Sequence, residues 1–356
     1  MLGLEDRKAA ILKAIVQDYV RTGEPVGSKR LTEDWGLGVS SATVRADMGA
    51  LEDAGLITQP HTSAGRIPTD RGYRFFVDTL DHTGPLDQPQ AAALQKMLLG
   101  SADLEELLRR TSTVLSRLTC LAALVVAPRL DRSTLRHIEL VQLAPTSVLA
   151  VLIADTGRVD KRMLDLDVAV AAHDVQRASY AVNESAAGLH LSQAPDVIAG
   201  LAEGAPTEVR DLVAAVSGAV RAGLAGDPRQ EQLYVGGTAN IAGSGAFERV
   251  EQVKRVYEML EEQVVVLRTL REVLQEDDPA VGIGAELPLV ELTACSVVAA
   301  SYEAGDAGGS IGVLGPTRMD YPRTLAAVQA VASSLETALA ELTGGRGEPL
   351  PEADGG

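Results

Sequence analysis

SSATVRADMGALEDAGLITQPHTSAGRIPT, residues 40–69, decides how the rest of the chain is read. Ser40 and Ser41 carry hydroxyls able to satisfy the free backbone N–H groups of a helix start. Val44, Met48 and Leu51 then recur at i, i+4 and i+7 and make one apolar face. The opposite face holds Ala42, Thr43, Arg45, Ala46 and Gly49: small side chains, one hydroxyl and one guanidinium. Such a face can approach another molecule closely, and Arg45 can make bidentate contacts to guanine or phosphate. Gly55 closes the helix. Leu56 and Ile57 begin a strand, and residues 61–66 turn it back toward Ile67. Upstream, a helix over 4–22 buries Ile11, Leu12, Ile15, Val16 and Tyr19 and stops at Gly23 and Pro25. Ser28 caps a short helix over 29–35, and Gly36-Leu37-Gly38 forms the turn into the capped helix. Helix-turn-helix followed by a hairpin predicts a winged helix.

Composition sets wide limits. The 356 residues suffice for two or three domains with sizeable cores. Only three Phe and one Trp occur, so those cores are built from Leu, Val, Ile and Ala. No continuous apolar run reaches the ~20 residues that span a bilayer. Glu5 and Asp6 precede the first apolar stretch, which makes a poor signal peptide. Cys120 and Cys295 sit in apolar surroundings and read as buried free thiols of a reducing cytoplasm. The net charge of −17 at first argues against a nucleic-acid partner, yet it is unevenly spread. Residues 1–80 hold ten Lys/Arg and eleven Asp/Glu, so the remaining 276 residues carry −16. An acidic body on a near-neutral head repels DNA everywhere except at the head, and binding then rests on dimerisation and base contacts rather than on bulk charge.

Beyond the winged helix, residues 69–80 begin another helix, and 81–90 read as a linker. A helical pattern over 94–119 is interrupted near Gly100. Strands are expected at 121–127 and 137–143, with a hairpin of 147–154 and 158–166 around Thr156-Gly157. Ala-rich helices fill 167–230, a strand follows at 233–235, and one long helix covers 247–274. Strands resume at 281–283, 292–302 and 310–314, and Pro322 opens a final helix. Strands on both sides of a helical block suggest one α/β domain carrying an insertion.

The run VSSATVRADMGALEDAGLITQPHTSAGRIPTDRGYRFFVD, residues 39–78, resembles the N-terminal module of the HrcA family of heat-inducible transcription repressors. GVLGPTRMDY, residues 312–321, resembles that family's C-terminal signature, so the resemblance spans nearly the whole chain. It implies an α+β multidomain protein: a winged helix-turn-helix over 1–82, a GAF-like domain in two parts, 90–167 and 236–342, and an inserted dimerisation domain over 168–235; the tail over 343–356 is rich in Gly, Pro and acidic residues and reads as disordered. It also implies an inverted-repeat operator upstream of chaperone operons, repression relieved by heat, and a chaperonin that keeps the repressor active. A cytoplasmic homodimer that binds double-stranded DNA, with no membrane and no cofactor, follows. The alternative is a regulator that uses the GAF-like domain as a small-molecule pocket.

Candidate contacts follow residue by residue. Ala42, Thr43, Arg45 and Ala46 are base readers; the bland alternative is a solvated helix face, and the hairpin at winged-helix distance tips the balance to DNA. Ser40 and Ser41 are caps that also suit a phosphate. His61, Thr62, Ser63 and Arg66 form a wing suited to backbone or minor-groove contact. Arg71 is a phosphate candidate, as is its neighbour Arg74, and surface solvation accounts equally for both. His82, His137, His173 and His190 lack metal-ligand spacing. The glycine-rich stretches 236–240 and 305–315 match no phosphate loop, and residues 315–320 read as a turn in which Asp320 caps the last helix. With no catalytic constellation in view, an enzyme is not expected.

Overall fold

The computed structural model describes residues 6–61, 64–80, 88–101, 103–128, 133–224, 232–243, 247, 250–275, 278–304 and 307–344. It is a mixed α+β chain with separate small and large sheets. Three helices come first: α1 (Asp6–Thr22), α2 (Ser28–Asp34) and α3 (Ser41–Asp53). A two-stranded ribbon, β1 (Ile57–Thr58) and β2 (Ile67–Pro68), leads into α4 (Asp70–Asp78). Val44, Met48 and Leu51 of α3 are buried, as the spacing predicts, against Ile11, Leu12 and Ile15 of α1. Truncating one such side chain to Ala typically costs about 2–5 kcal/mol. Val26 bridges Arg66 through two backbone hydrogen bonds and adds a third short edge to the ribbon.

The body is organised on a five-stranded antiparallel sheet. Helices α5 (Gln88–Leu98) and α6 (Leu104–Thr119) precede its first strand, β3 (Ala122–Val126). They are separate because Gly100 takes φ +77° between them. The chain then leaves this sheet. β4 (Leu135–Ala144), β5 (Ser147–Ala154) and β6 (Val159–Asp165) make a three-stranded sheet of their own. They pack under α7 (Ala172–Ala186), α8 (Ala194–Gly204) and α9 (Thr207–Leu224) in one core that includes Ile138, Leu152, Val182 and Val216. β7 (Leu233–Gly236) returns to pair with β3, so exit and re-entry lie on adjacent strands. The expected division at 168–235 is therefore not where the packing divides: the hairpin 147–166 belongs with α7–α9, and β7 belongs to the larger sheet. Periodicity ranks strands but does not say which sheet they join.

After α10 (Ala239–Gly243), the expected single helix over 247–274 is two, α11 (Val250–Glu261) and α12 (Gln263–Val273). Glu262 between them has φ −88° and ψ 76°, outside the helical region. That break lets Val256, Met259 and Leu260, then Val266, Leu267 and Leu270, all face the same core. β8 (Ala280–Ile283), β9 (Cys295–Ala304) and β10 (Ala307–Pro316) complete the sheet in the order β7-β3-β10-β9-β8. Both faces are covered. Ala123, Val125, Val298 and Val313 point into one core, and Ala122, Leu124, Val297 and Leu314 into the other. The last helix, α13 (Tyr321–Gly344), is long and apolar enough to cross a bilayer by composition, yet its Leu325, Val328, Val331 and Leu335 are buried in the core under β9. Asp320 caps it, accepting from Arg323 N at 3.2 Å. Cys295 is buried, and burial pushes its thiol up to about 12. Cys120 is exposed instead, because it ends α6 in the left-handed region with φ 56°. The tail expected over 343–356 starts too early, because α13 continues through Gly344, and residues 345–356 lie outside the described residues.

Candidate nucleic-acid interface

Helix α3 begins as its sequence requires. The Ser40 hydroxyl accepts from Thr43 N at 3.2 Å and lies 2.9 Å from the Thr43 hydroxyl. Ser41 points the other way, its oxygen 3.1 Å from that of Ser28, and so ties α3 to the start of α2. Ser28 is thus not the cap of α2; Gly27 holds that position without a side-chain bond. At its far end α3 closes through Leu56 N to Leu51 O and Gly55 N to Glu52 O, with Gly55 at φ +71°. The helix is anchored on its inner side by an ion pair as well. Arg7 donates Nε and Nη2 to the two oxygens of Asp47 at 2.8 and 3.1 Å. This hydrogen-bonded guanidinium holds the buried Asp47 carboxyl below the usual carboxylate range, against the opposing effect of burial.

What remains of α3 faces outward. Ala42, Arg45 and Ala46 are exposed, and Thr43 and Gly49 are half-buried. Arg45 makes no ion pair among the described residues, so its guanidinium is available to a second molecule. The structure brings Ser40, Ala42, Thr43, Arg45 and Ala46 onto one accessible stretch of helix. Arg71 of α4 is exposed but stands apart from them, at the C-terminal end of α3, where a Cβ placed on Gly55 would lie 3.3 Å from its Nη1.

The ribbon is more committed than its sequence suggests. Arg66 is not free: its Nε and Nη2 both lie 2.9 Å from Glu52 Oε2, which fastens the ribbon base to α3. Nothing in the sequence marks this partner, since a Glu fourteen positions earlier carries no distinguishing signal. His61 is exposed and its carbonyl accepts from Ala64 N in the turn. Thr62 and Ser63 lie outside the described residues. The two glycines of the stretch are there for close approach. A Cβ on Gly65 would meet the Val26 carbonyl oxygen at 2.5 Å, and one on Gly72 would meet that of Leu56 at 2.0 Å. Thr69 completes the joint by capping α4 and donating its hydroxyl to Gly55 O at 2.7 Å.

Arg74, the other candidate in α4, is taken up by the body. It forks onto Glu286, with Nε to Oε1 at 2.8 Å, and also donates to Val281 O. A second buried carboxylate, Asp18, pairs with Arg21 and Arg30 and braces α1 against α2. A charged residue between the apolar Ile15 and Tyr19 was the available sign of it.

Comparison with known proteins places this arrangement. Residues 105–325 match the family model described as HrcA protein C terminal domain. A heat-inducible transcription repressor HrcA of Arthrobacter sp. is 48% identical over 94% of this chain and 99% of its own. That of Streptomyces avermitilis is 46% identical over 95% of this chain and 99% of its own. A crystal structure of a hypothetical protein superposes with a TM-score of 0.65 at 22% identity, covering 95% of this chain and 99% of that one, and so shares the fold. Match, length and order of motifs agree, and the chain belongs to the HrcA family of heat-inducible transcription repressors, regulators without enzymatic activity.

Proposed function

We propose that two copies of this chain act together as a sequence-specific repressor, each inserting α3 into one major groove of an inverted-repeat operator. The observation that carries this is the state of Arg45: exposed, unpaired among the described residues, and flanked by Ala42 and Ala46 on a helix otherwise held from behind. Small neighbours let the helix backbone approach the base edges, and a free guanidinium can take guanine O6 and N7 together. In this reading α1–α4 with the ribbon form a winged helix, the exposed His61 at the end of the ribbon meets the phosphate backbone, and Arg71 adds a phosphate contact. The five-stranded unit is the GAF-like domain, and the unit of β4–β6 with α7–α9 is the inserted dimerisation domain.

The dimer is supported by a bare sheet face. Val141, Leu149 and Met163 form one cross-strand row on β4–β6, away from that unit's own core. Val141 and Met163 are 41% and 53% exposed. An apolar face left open by one copy is suited to the same face of another. Two linked heads then gain affinity through effective concentration, which one near-neutral head lacks. By family likeness the targets are chaperone operons, the partner that keeps the repressor active is a chaperonin, and the site of action is the cytoplasm.

Footprinting of DNA upstream of chaperone genes, with and without purified chaperonin, tests this. Protection of an inverted repeat, lost with Arg45→Ala, is expected. Absence of a shift on every palindromic promoter fragment at low salt would overturn it. A second reading, a small-molecule-responsive regulator, is favoured by a cleft of about 630 Å³. The cleft lies between head and body rather than within the larger sheet, lined by Val16, Trp35, Phe76, Met319 and Tyr321. A compound that raises the melting temperature and changes operator affinity together would establish it.

A further inference from the structure

The head is fastened to the body on two sides. On one side Asp70, the first residue of α4, accepts from Ala285 N at 3.1 Å. Gly284 makes room for it: it sits at φ +51°, and a Cβ there would lie 2.1 Å from the Asp70 carboxylate. One turn along α4, Arg74 forks onto Glu286 and reaches Val281 O. Glu286 is itself held, accepting from Ile283 N at 2.9 Å. On the other side stands the turn of residues 315–321. Its Arg318 lies 5.9 Å from the Tyr19 ring of α1, and its guanidinium fills the space beside Gly23. Its Tyr321 ring lies 5.7 Å from that of Tyr73. Tyr321 is in turn fixed in the body, donating to Thr317 O at 2.7 Å with the Ser296 hydroxyl at 2.8 Å.

Helix α4 is also joined rigidly to α3. Thr69 N donates to Leu56 O, the Thr69 hydroxyl donates to Gly55 O, and Gly72 packs against Leu56 O. A fixed path therefore runs from the outward face of α3, through the end of that helix, to the body's corner at 281–286. The head's core and the core on one side of the body's sheet form a single apolar cluster along this path.

We propose that this two-sided clasp sets where each α3 stands relative to the body, so that Arg74, Glu286 and Arg318 are positioning residues that determine the half-site spacing the dimer accepts. The proposal rests on the DNA-binding reading above. Affinity gained by linking two heads depends on whether both can engage at once, and a clasped head has little freedom to search for a displaced half-site. Glu286 stands apart from α3's outward face, so losing it should leave contact with a single half-site intact.

The test uses the full chain and inverted repeats whose spacer grows one base pair at a time through half a helical turn. Wild type should lose about tenfold or more in affinity at the half-turn offset. Glu286→Gln should flatten that loss to about threefold or less while single half-site affinity stays within about twofold. Arg74→Gln, which removes the other half of the same pair, should flatten the profile as Glu286→Gln does. Arg318→Gln loosens the opposite side and serves where a variant at the first fails to fold. Folded Glu286→Gln and Arg318→Gln proteins that keep the wild-type profile would overturn the proposal and leave the DNA-binding reading standing. A wild type that shifts no spacing variant at all would overturn both.

Discussion

The outward face of α3 and the body-facing flank of α4 both lie within residues 42–74 and are opposite in kind. Ala42, Arg45 and Ala46 are exposed, and Arg45 has no ion-pair partner among the described residues. Asp70 and Arg74 are paired with groups of the body, and the Tyr73 ring packs against Tyr321. Both stretches offer an arginine on an amphipathic helix. What separates them is whether a carboxylate stands within reach once the chain is folded. A chain can carry several arginines around one exposed helix and leave few of them for a second molecule.

The largest effect expected from this contrast is Arg45→Ala. Losing a bidentate base contact costs about 1–3 kcal/mol, and a symmetric dimer loses two, so operator affinity should fall roughly 30-fold to 20,000-fold. The melting temperature should hardly move, because Arg45 supports nothing inside the head; a large drop in stability would break the comparison. Gly72→Ala is the reverse case. Its new methyl meets the Leu56 carbonyl oxygen, so the head should lose about 1–3 kcal/mol of stability, read by chemical denaturation. Operator binding should weaken only as far as the head unfolds.

A smaller, pH-dependent effect belongs to Asp47, which anchors α3 from within. Its carboxyl is depressed in the folded chain by Arg7, so its contribution is fully present above the ordinary unfolded value of about 3.9 and fades as pH falls through the folded value. Asp47→Asn should therefore melt lower than wild type near neutral pH, with the gap closing in acid. A gap that widens below pH 4 would contradict the assignment. The smallest effect is Tyr73→Phe. The Tyr73 hydroxyl is buried without a hydrogen-bond partner, so its removal should be neutral or stabilise by up to about 1 kcal/mol while the ring stays against Tyr321.

Most of the head could be read without coordinates because its signals are local. Ser40 before an apolar period and Gly55 after it specify a helix between residues that are neighbours on the chain. The same holds for Gly157 in the hairpin and for Asp320 ahead of Pro322. The misreadings come from non-local choices. The hairpin of β5 and β6 alternates as any half-buried strand pair does, and nothing in that alternation says which core it covers. Residues 247–274 carry one helical period, yet the path around the core required a break at Glu262.

The amino-acid order by itself determined that this chain has a small helical head with an outward-facing Arg45, an α/β body and a capped terminal helix, because caps, turns and apolar periods act over a few residues. Only the tertiary structure decided that Arg66 belongs to Glu52 and Arg74 to Glu286, and that the turn of residues 315–321 packs on the head. Those pairings join residues up to 212 positions apart in the chain. A guanidinium's fate depends on the nearest carboxylate in space, and proximity in space is what folding creates.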